Sequence, residues 1–253
     1  MGLFLAQANQ KGTHFPIWGT CLGLEDLTRV AIDKLVLRPC NASDMALPLD
    51  FTPDFRKSRM FSNLPKYLQR ALRTEPITYN AHRACLTPEN FTAYGLDKIF
   101  KPLSTNVDRD GVTFISSLEG RLFPFYAVQF HPEKTNFEWE RNDRHKYVPH
   151  GPDALSVSQY LGNFFVNEAR KNLHKFATEE EEQSALIYNY PATFTQKHSA
   201  YTQMYIFDQP AQWPRRGRSR WGVRNSVLPV VPQRQRQVTI RRSGRLRPVH
   251  RAT

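Results

Sequence analysis

Cysteine is scarce in this chain: Cys21, Cys40 and Cys85 are the three among 253 residues. None of the three is closely spaced with another, which argues against a zinc-binding pattern and against a disulfide framework. A single Cys40–Cys85 bond fits the count and leaves Cys21 free. Also missing is any apolar run long enough to span a membrane. No basic stretch followed by an apolar core opens the chain, so no signal peptide is visible, and the stretch as given suits the cytosol. Negative charge is missing from one region only. Residues 209–253 contain twelve arginines but no lysine, aspartate or glutamate, which leaves 23 basic and 23 acidic residues in 1–208. The net charge of +12 therefore belongs to the tail. It gives no reason to read the body as nucleic-acid-binding.

The division expected is a catalytic body, 1–208, and an Arg/Pro-rich tail, 209–253. The tail has five prolines, three glycines and only scattered apolar residues. Such a composition cannot bury enough surface to offset its ordering entropy, so disorder is expected. Its arginines with Trp213 and Trp221 could contact nucleic acid or an anionic membrane. The simpler reading, a solvated extension without a dedicated partner, is preferred.

What is present in the body starts at Phe15-Pro16-Ile17-Trp18-Gly19-Thr20-Cys21-Leu22-Gly23. An apolar strand meets a Gly-x-Cys-x-Gly turn, and Leu24, Leu27, Val30 and Ala31 continue at helical spacing. This is a nucleophile elbow with cysteine in place of serine. The turn is expected to be so sharp that only glycine fits on either side, with a strained, exposed residue at its tip. The N–H groups of the helix it opens favour a thiolate. Read alone, Cys21 could equally be a buried structural cysteine.

A second motif, Phe125-Tyr126-Ala127-Val128-Gln129-Phe130-His131-Pro132-Glu133, delivers a histidine to the end of a strand that proline terminates. Glu133 can turn back onto Nδ1, leaving Nε2 to take the proton of Cys21. His131 alone would read as a surface histidine. Beside an elbow it is the better candidate base.

Together these motifs resemble the γ-glutamyl hydrolase family of the class I glutamine amidotransferase-like hydrolases. Ser58-Arg59-Met60-Phe61, Phe164-Phe165-Val166-Asn167-Glu168-Ala169-Arg170-Lys171-Asn172 and Tyr205-Ile206-Phe207-Asp208 extend the resemblance. It implies a doubly wound α/β fold with a mostly parallel sheet, and cleavage of γ-linked glutamate from folyl poly-γ-glutamates without metal or organic cofactor. Carried over by position, Cys21 is the nucleophile, His131 the base and Glu133 its orienting carboxylate. Glu25, four residues beyond Cys21, and His82 match positions that line the family's substrate site. A homodimer is among the assemblies the resemblance admits. It also implies a lysosomal, vacuolar or extracellular setting, which the sequons Asn41-Ala42-Ser43 and Asn90-Phe91-Thr92 would suit. Alternatives are a glutaminase-type domain, or a catalytically silent isoform whose tail binds polyanions.

Against the family pattern, only 20 residues precede Cys21. A doubly wound fold places several βα units there, and the family draws a second oxyanion donor from them. The stretch by itself is accordingly expected to be a weak enzyme. Downstream, the sequence predicts a strand at Lys34–Leu37, a turn-rich connection over Pro39–Pro53 and a helix carrying Leu64, Leu68 and Leu72. Next come a strand at Ile77–Tyr79 with His82 at its exit, and strands Val112–Leu118 and Leu122–Phe130 around a turn at Glu119-Gly120. Asp153 is expected to cap a helix with a core stripe from Leu161 through Phe164, Phe165 and Ala169 to Leu173 and Phe176. Glu179–Glu182 reads as solvated surface, and Leu186–Tyr190 and Met204–Phe207 as closing strands.

Overall fold

The computed structural model describes residues 8–139, 145–195, 199 and 201–207. The expected boundary at 208/209 and the tail beyond it lie outside them. β1 (Ile17–Thr20) runs directly into α1 (Leu22–Ile32). There follow β2 (Arg38–Leu47), β3 (Asp50–Phe51), α2 (Lys66–Thr74), β4 (Thr78–Cys85) and α3 (Pro88–Ala93). β5 (Phe100–Val107), β6 (Thr113–Gly120) and β7 (Phe125–Val128) lead to the short α4 (Lys134–Phe137) and the long α5 (Pro152–Ala169). Last come α6 (Glu179–Ser184), β8 (Ala192–Phe194) and β9 (Gln203–Tyr205).

The fold is mixed α/β. Its central sheet has the order β1-β7-β6-β5-β3. β1 and β7 are parallel, while β6, β5 and β3 extend the sheet antiparallel. β7 explains why the sheet must be covered twice. It is buried along its whole length, and successive side chains point to opposite faces. Tyr126 and Val128 join Met60, Phe61, Leu68, Leu72, Val157 and Leu161 in one core, beneath α2 and α5. Phe125 and Ala127 join Leu24, Leu86, Phe91, Leu96 and Ile115 in the other, beneath α1 and α3.

Two of the stretches that carry the resemblance serve as anchors for this sheet. The buried Glu119 carboxylate accepts the backbone N–H groups of Arg59, at 2.9 Å, and Met60, at 3.2 Å. The Arg59 guanidinium reaches the Gly120 and Phe123 carbonyls and lies over the Tyr126 ring. From the other side, Glu168 of α5 accepts the Tyr126 hydroxyl at 2.8 Å and also meets His14 and Lys171. Burial, reinforced by Glu168, pushes the Tyr126 hydroxyl well above its ordinary range. Tyr126 is thus held from both ends, and with it the strand that feeds the site.

Several expectations need correction. Lys34–Leu37 is not a strand, and most of the turn-rich stretch after it is the ten-residue β2. Register shifts on either side of Ala42 and a left-handed Asp44 at φ 49° break the alternation that would have revealed it. The strand predicted at Ile77–Tyr79 is β4, which continues to Cys85, so His82 lies within the strand and not at its exit. Glu119-Gly120 closes β6, and the turn is the stretch after it. Asp153 sits in the first turn of α5, but the N-cap is Gly151, with no side-chain cap. The core stripe stops with the helix: Leu173 is 89% and Phe176 46% exposed. Leu186–Tyr190 holds a 3-10 turn, Ile187–Asn189. The strand expected at Met204–Phe207 is β9, one residue earlier, and it pairs with β8 in a ribbon of its own without closing the central sheet. The Glu179–Glu182 run is solvated as expected, as the first turn of α6 with Thr178 capping it. No helix among the described residues is long and apolar enough to cross a membrane.

Candidate active site

Cys21 sits between β1 and α1 with φ 52° and ψ −105°, a backbone region that non-glycine residues occupy only under constraint. Its neighbours supply that constraint. The Cys21 N–H donates to the Val128 carbonyl at 2.8 Å, continuing the β1–β7 pairing, and its own carbonyl accepts from Leu24 at 2.9 Å. Only one of the two flanking glycines is required. A Cβ at Gly19 would meet the Gly23 backbone at 2.6 Å, whereas a Cβ at Gly23 would meet nothing within 4 Å. The close approach of helix to strand, and not a turn with glycine on both sides, is what the first glycine permits. The thiol is half-buried, less open than an exposed tip would be.

Parallel pairing sets Thr20 opposite Val128, so the chain just beyond each strand emerges at the same sheet edge. There the His131 ring lies near enough to Cys21 for the thiol to bear on its proton affinity, and its Nδ1 lies 2.7 Å from Glu133 Oε1. The His131 backbone N–H donates to the Tyr79 carbonyl at 2.7 Å, which fixes the loop against β4. Burial alone would lower the proton affinity of the ring. The hydrogen bonds and charges of Cys21 and Glu133 outweigh burial and push its pKa up to about 9. The ring therefore carries its proton at neutral pH.

The structure also brings Glu25 to this point, through a residue the sequence reading missed. Gln129 is fully buried. Its Nε2 lies 3.7 Å from Cys21 Sγ and 3.2 Å from Glu25 Oε1, so one amide faces both groups. Its Oε1 is buried with no hydrogen-bond partner among the described residues. The available signal was its place two residues before His131 in an otherwise apolar run. Burial raises the Glu25 pKa, and the Gln129 hydrogen bond works against that rise.

His82 occupies an adjoining position. It is 5% exposed, its pKa is lowered to about 4, chiefly by burial, and the charge on His131 adds to the lowering. It stands edge-on to Phe114 at 5.0 Å and beside the Cys40–Cys85 disulfide. That disulfide leaves Cys21 as the free thiol among the three cysteines. On the other flank of the site a cleft of about 510 Å³ is lined by Thr20, Pro132, Glu133, Phe137, Gly162 and Phe165, among others. A larger cavity, about 820 Å³, lies along Phe15, Pro16, Phe165 and Phe176, and none of its lining residues belongs to the cysteine–histidine pair.

Comparison with known proteins shows what the chain resembles. No protein-family model matches the chain. Individual relatives do. The human protein named gamma-glutamyl hydrolase is 44% identical over 203 residues, 80% of this chain and 63% of the relative. Gamma-glutamyl hydrolase B of Dictyostelium discoideum is 38% identical over 207 residues, 81% of this chain and 59% of its own length. Gamma-glutamyl hydrolase 1 of Arabidopsis thaliana is 33% identical over 208 residues, with 81% and 58% covered. The chain thus spans a little under two thirds of the curated relatives it matches. Over about four-fifths of its own length, it is similar in sequence to the gamma-glutamyl hydrolases.

Proposed function

We propose that this chain carries the catalytic half-site of a cysteine hydrolase acting on γ-glutamyl bonds, with folyl poly-γ-glutamates as its substrate class. The observation that carries the reading is the His131–Glu133 pair, at 2.7 Å, brought to the same sheet edge as Cys21 beyond the ends of two adjacent parallel strands. In this reading Cys21 attacks the γ-amide carbonyl as a thiolate. His131, already protonated, gives its proton to the departing amine, which completes cleavage of the C–N bond. The neutral ring then takes a proton from water, whose oxygen attacks the thioester and frees Cys21. The Leu22 N–H, at the start of α1 where backbone donors lack helical partners, is the donor offered here to the developing oxyanion. Gln129 bridges Cys21 and Glu25 through one amide, and it orients the thiol.

Incubating the purified chain with a γ-linked diglutamyl folate, and separately with glutamine, tests the assignment. Release of glutamate from the folate, lost on Cys21→Ala and on His131→Ala, is the expected result. Ammonia from glutamine with no cleavage of the folate would replace the reading with a glutaminase. Inactivity toward both substrates, in a chain whose circular dichroism shows it folded, would reject catalysis by this chain alone.

A further inference from the structure

Beside the catalytic pair, two cysteines and a histidine from β2 and β4 converge. His82 Nδ1 lies 3.5 Å from Cys85 Sγ and 3.6 Å from Cys40 Sγ. In a tetrahedral zinc site, with bonds of about 2.3 Å to sulfur and about 2.0 Å to nitrogen, the nitrogen–sulfur edges measure about 3.5 Å. Two edges of such a site are therefore already set. The third, between the sulfurs, is closed by the Cys40–Cys85 bond and opens when that bond is reduced.

The imidazole is arranged as a metal-bound histidine would be. Asn80 is fully buried, and its Nδ2 donates to the Thr78 carbonyl at 3.0 Å, so its Oδ1 faces His82 Nε2 at 3.1 Å. A carbonyl oxygen that takes one ring N–H fixes the tautomer and presents the other nitrogen as a lone pair. That other nitrogen, Nδ1, faces the Ala84 carbonyl at 3.1 Å. A neutral ring has one N–H, yet both of its nitrogens face acceptors. A cation held at Nδ1 removes the mismatch.

We propose that, once the disulfide is reduced, Cys40, His82 and Cys85 form a binding site for a soft divalent cation of the zinc class. An external dithiol breaks the S–S bond by closing its own disulfide, which leaves two thiols. Metal entry releases both thiol protons to water and makes two metal–sulfur bonds and one metal–nitrogen bond. Cys40 is only half-buried, which leaves water access to the fourth position. Sequence spacing could not suggest the site, because the cysteines are 45 residues apart. The β2–β4 register, with Arg38 opposite Cys85 and Ala42 opposite His82, brings them together.

Cobalt(II) is the probe, used on the full chain carrying Cys21→Ser so that Cys40 and Cys85 are the remaining cysteines. After reduction by a phosphine and its removal without air, thiolate-to-cobalt absorption should saturate at one equivalent and be displaced by Zn²⁺. The oxidised chain should show none. Cys40→Ser should lower the absorption to about half, and His82→Ala should weaken binding by roughly tenfold or more. Equal cobalt binding by reduced and oxidised protein, or by the parent and His82→Ala, would overturn the proposal. So would a reduced chain that unfolds by circular dichroism and stays unfolded with the metal added, because the site needs the β2–β4 register.

Discussion

Single residues decide the chemistry of this site, and their effects separate cleanly. His131 is held above its unfolded value of about 6.5, near 9, by Cys21 and Glu133 acting against burial. The stabilisation from this pairing is complete below pH 6.5 and is lost as pH rises through about 9. Glu133→Gln removes the charge and weakens the hydrogen bond. The His131 ring, followed by NMR titration, should then lose its proton at lower pH, and turnover should fall with it. An unchanged midpoint near 9 would contradict the assigned partner. Iodoacetamide at mildly acidic pH should label Cys21 before either other cysteine, because both of those are bonded to each other. The glycines supply a sharper contrast. Gly19→Ala forces a Cβ to within 2.6 Å of the Gly23 backbone and should cost about 1–3 kcal/mol as overpacking. Gly23→Ala, at the start of α1 and in open space, should be neutral or gain up to about 1 kcal/mol in urea unfolding. Gln129→Leu should leave the fold intact and cost about 1 kcal/mol or more in kcat/KM, the scale of one net hydrogen bond.

At the scale of elements, legibility followed how far each strand obeys the regular period. β1 and β7 were readable because an apolar run ends in glycine in one and in histidine–proline in the other. α2 was readable from Leu68 and Leu72, buried at 2% and 1% exposure, whereas Leu64, expected on the same helix, lies just before its start. β2 was not, because its bulges at Ala42 reset the alternation and its proline and asparagine look like turn residues. The three residues Cys21, His131 and Glu133 were legible from motifs, whereas Gln129 was not: a buried amide that bridges two side chains has no spacing of its own. The β2–β4 ribbon combines irregular pairing with the Cys40–Cys85 cross-link. Under oxidising conditions, replacing Cys40 and Cys85 together with serine should cost roughly 2–4 kcal/mol, read from the urea midpoint. A change below 0.5 kcal/mol, allowing ~0.3 kcal/mol for non-additivity, would mean that the ribbon holds its register without the bond.

At the scale of the whole molecule, the central sheet lies between two separate apolar cores, and β7 contributes to both. Leu161→Ala on the α5 side and Leu24→Ala on the α1 side should each cost about 2–5 kcal/mol. Because the sheet separates them, the two costs should add to within about 0.5 kcal/mol in the double variant. A larger departure would show that β7 transmits strain from one core to the other. The parallel pairing of β1 with β7 has a kinetic consequence as well. Ile17 meets Phe125 across it, and Cys21 and Gln129 are 108 residues apart in sequence, whereas the β5–β6 hairpin closes between Val107 and Thr113. Long loops are slow to close and their contacts come late. In refolding from urea, the hairpin should form well before the cysteine meets its histidine. Recovery of rapid alkylation at Cys21 would then report the last step of folding, which makes this thiol a built-in clock for completion of the native state.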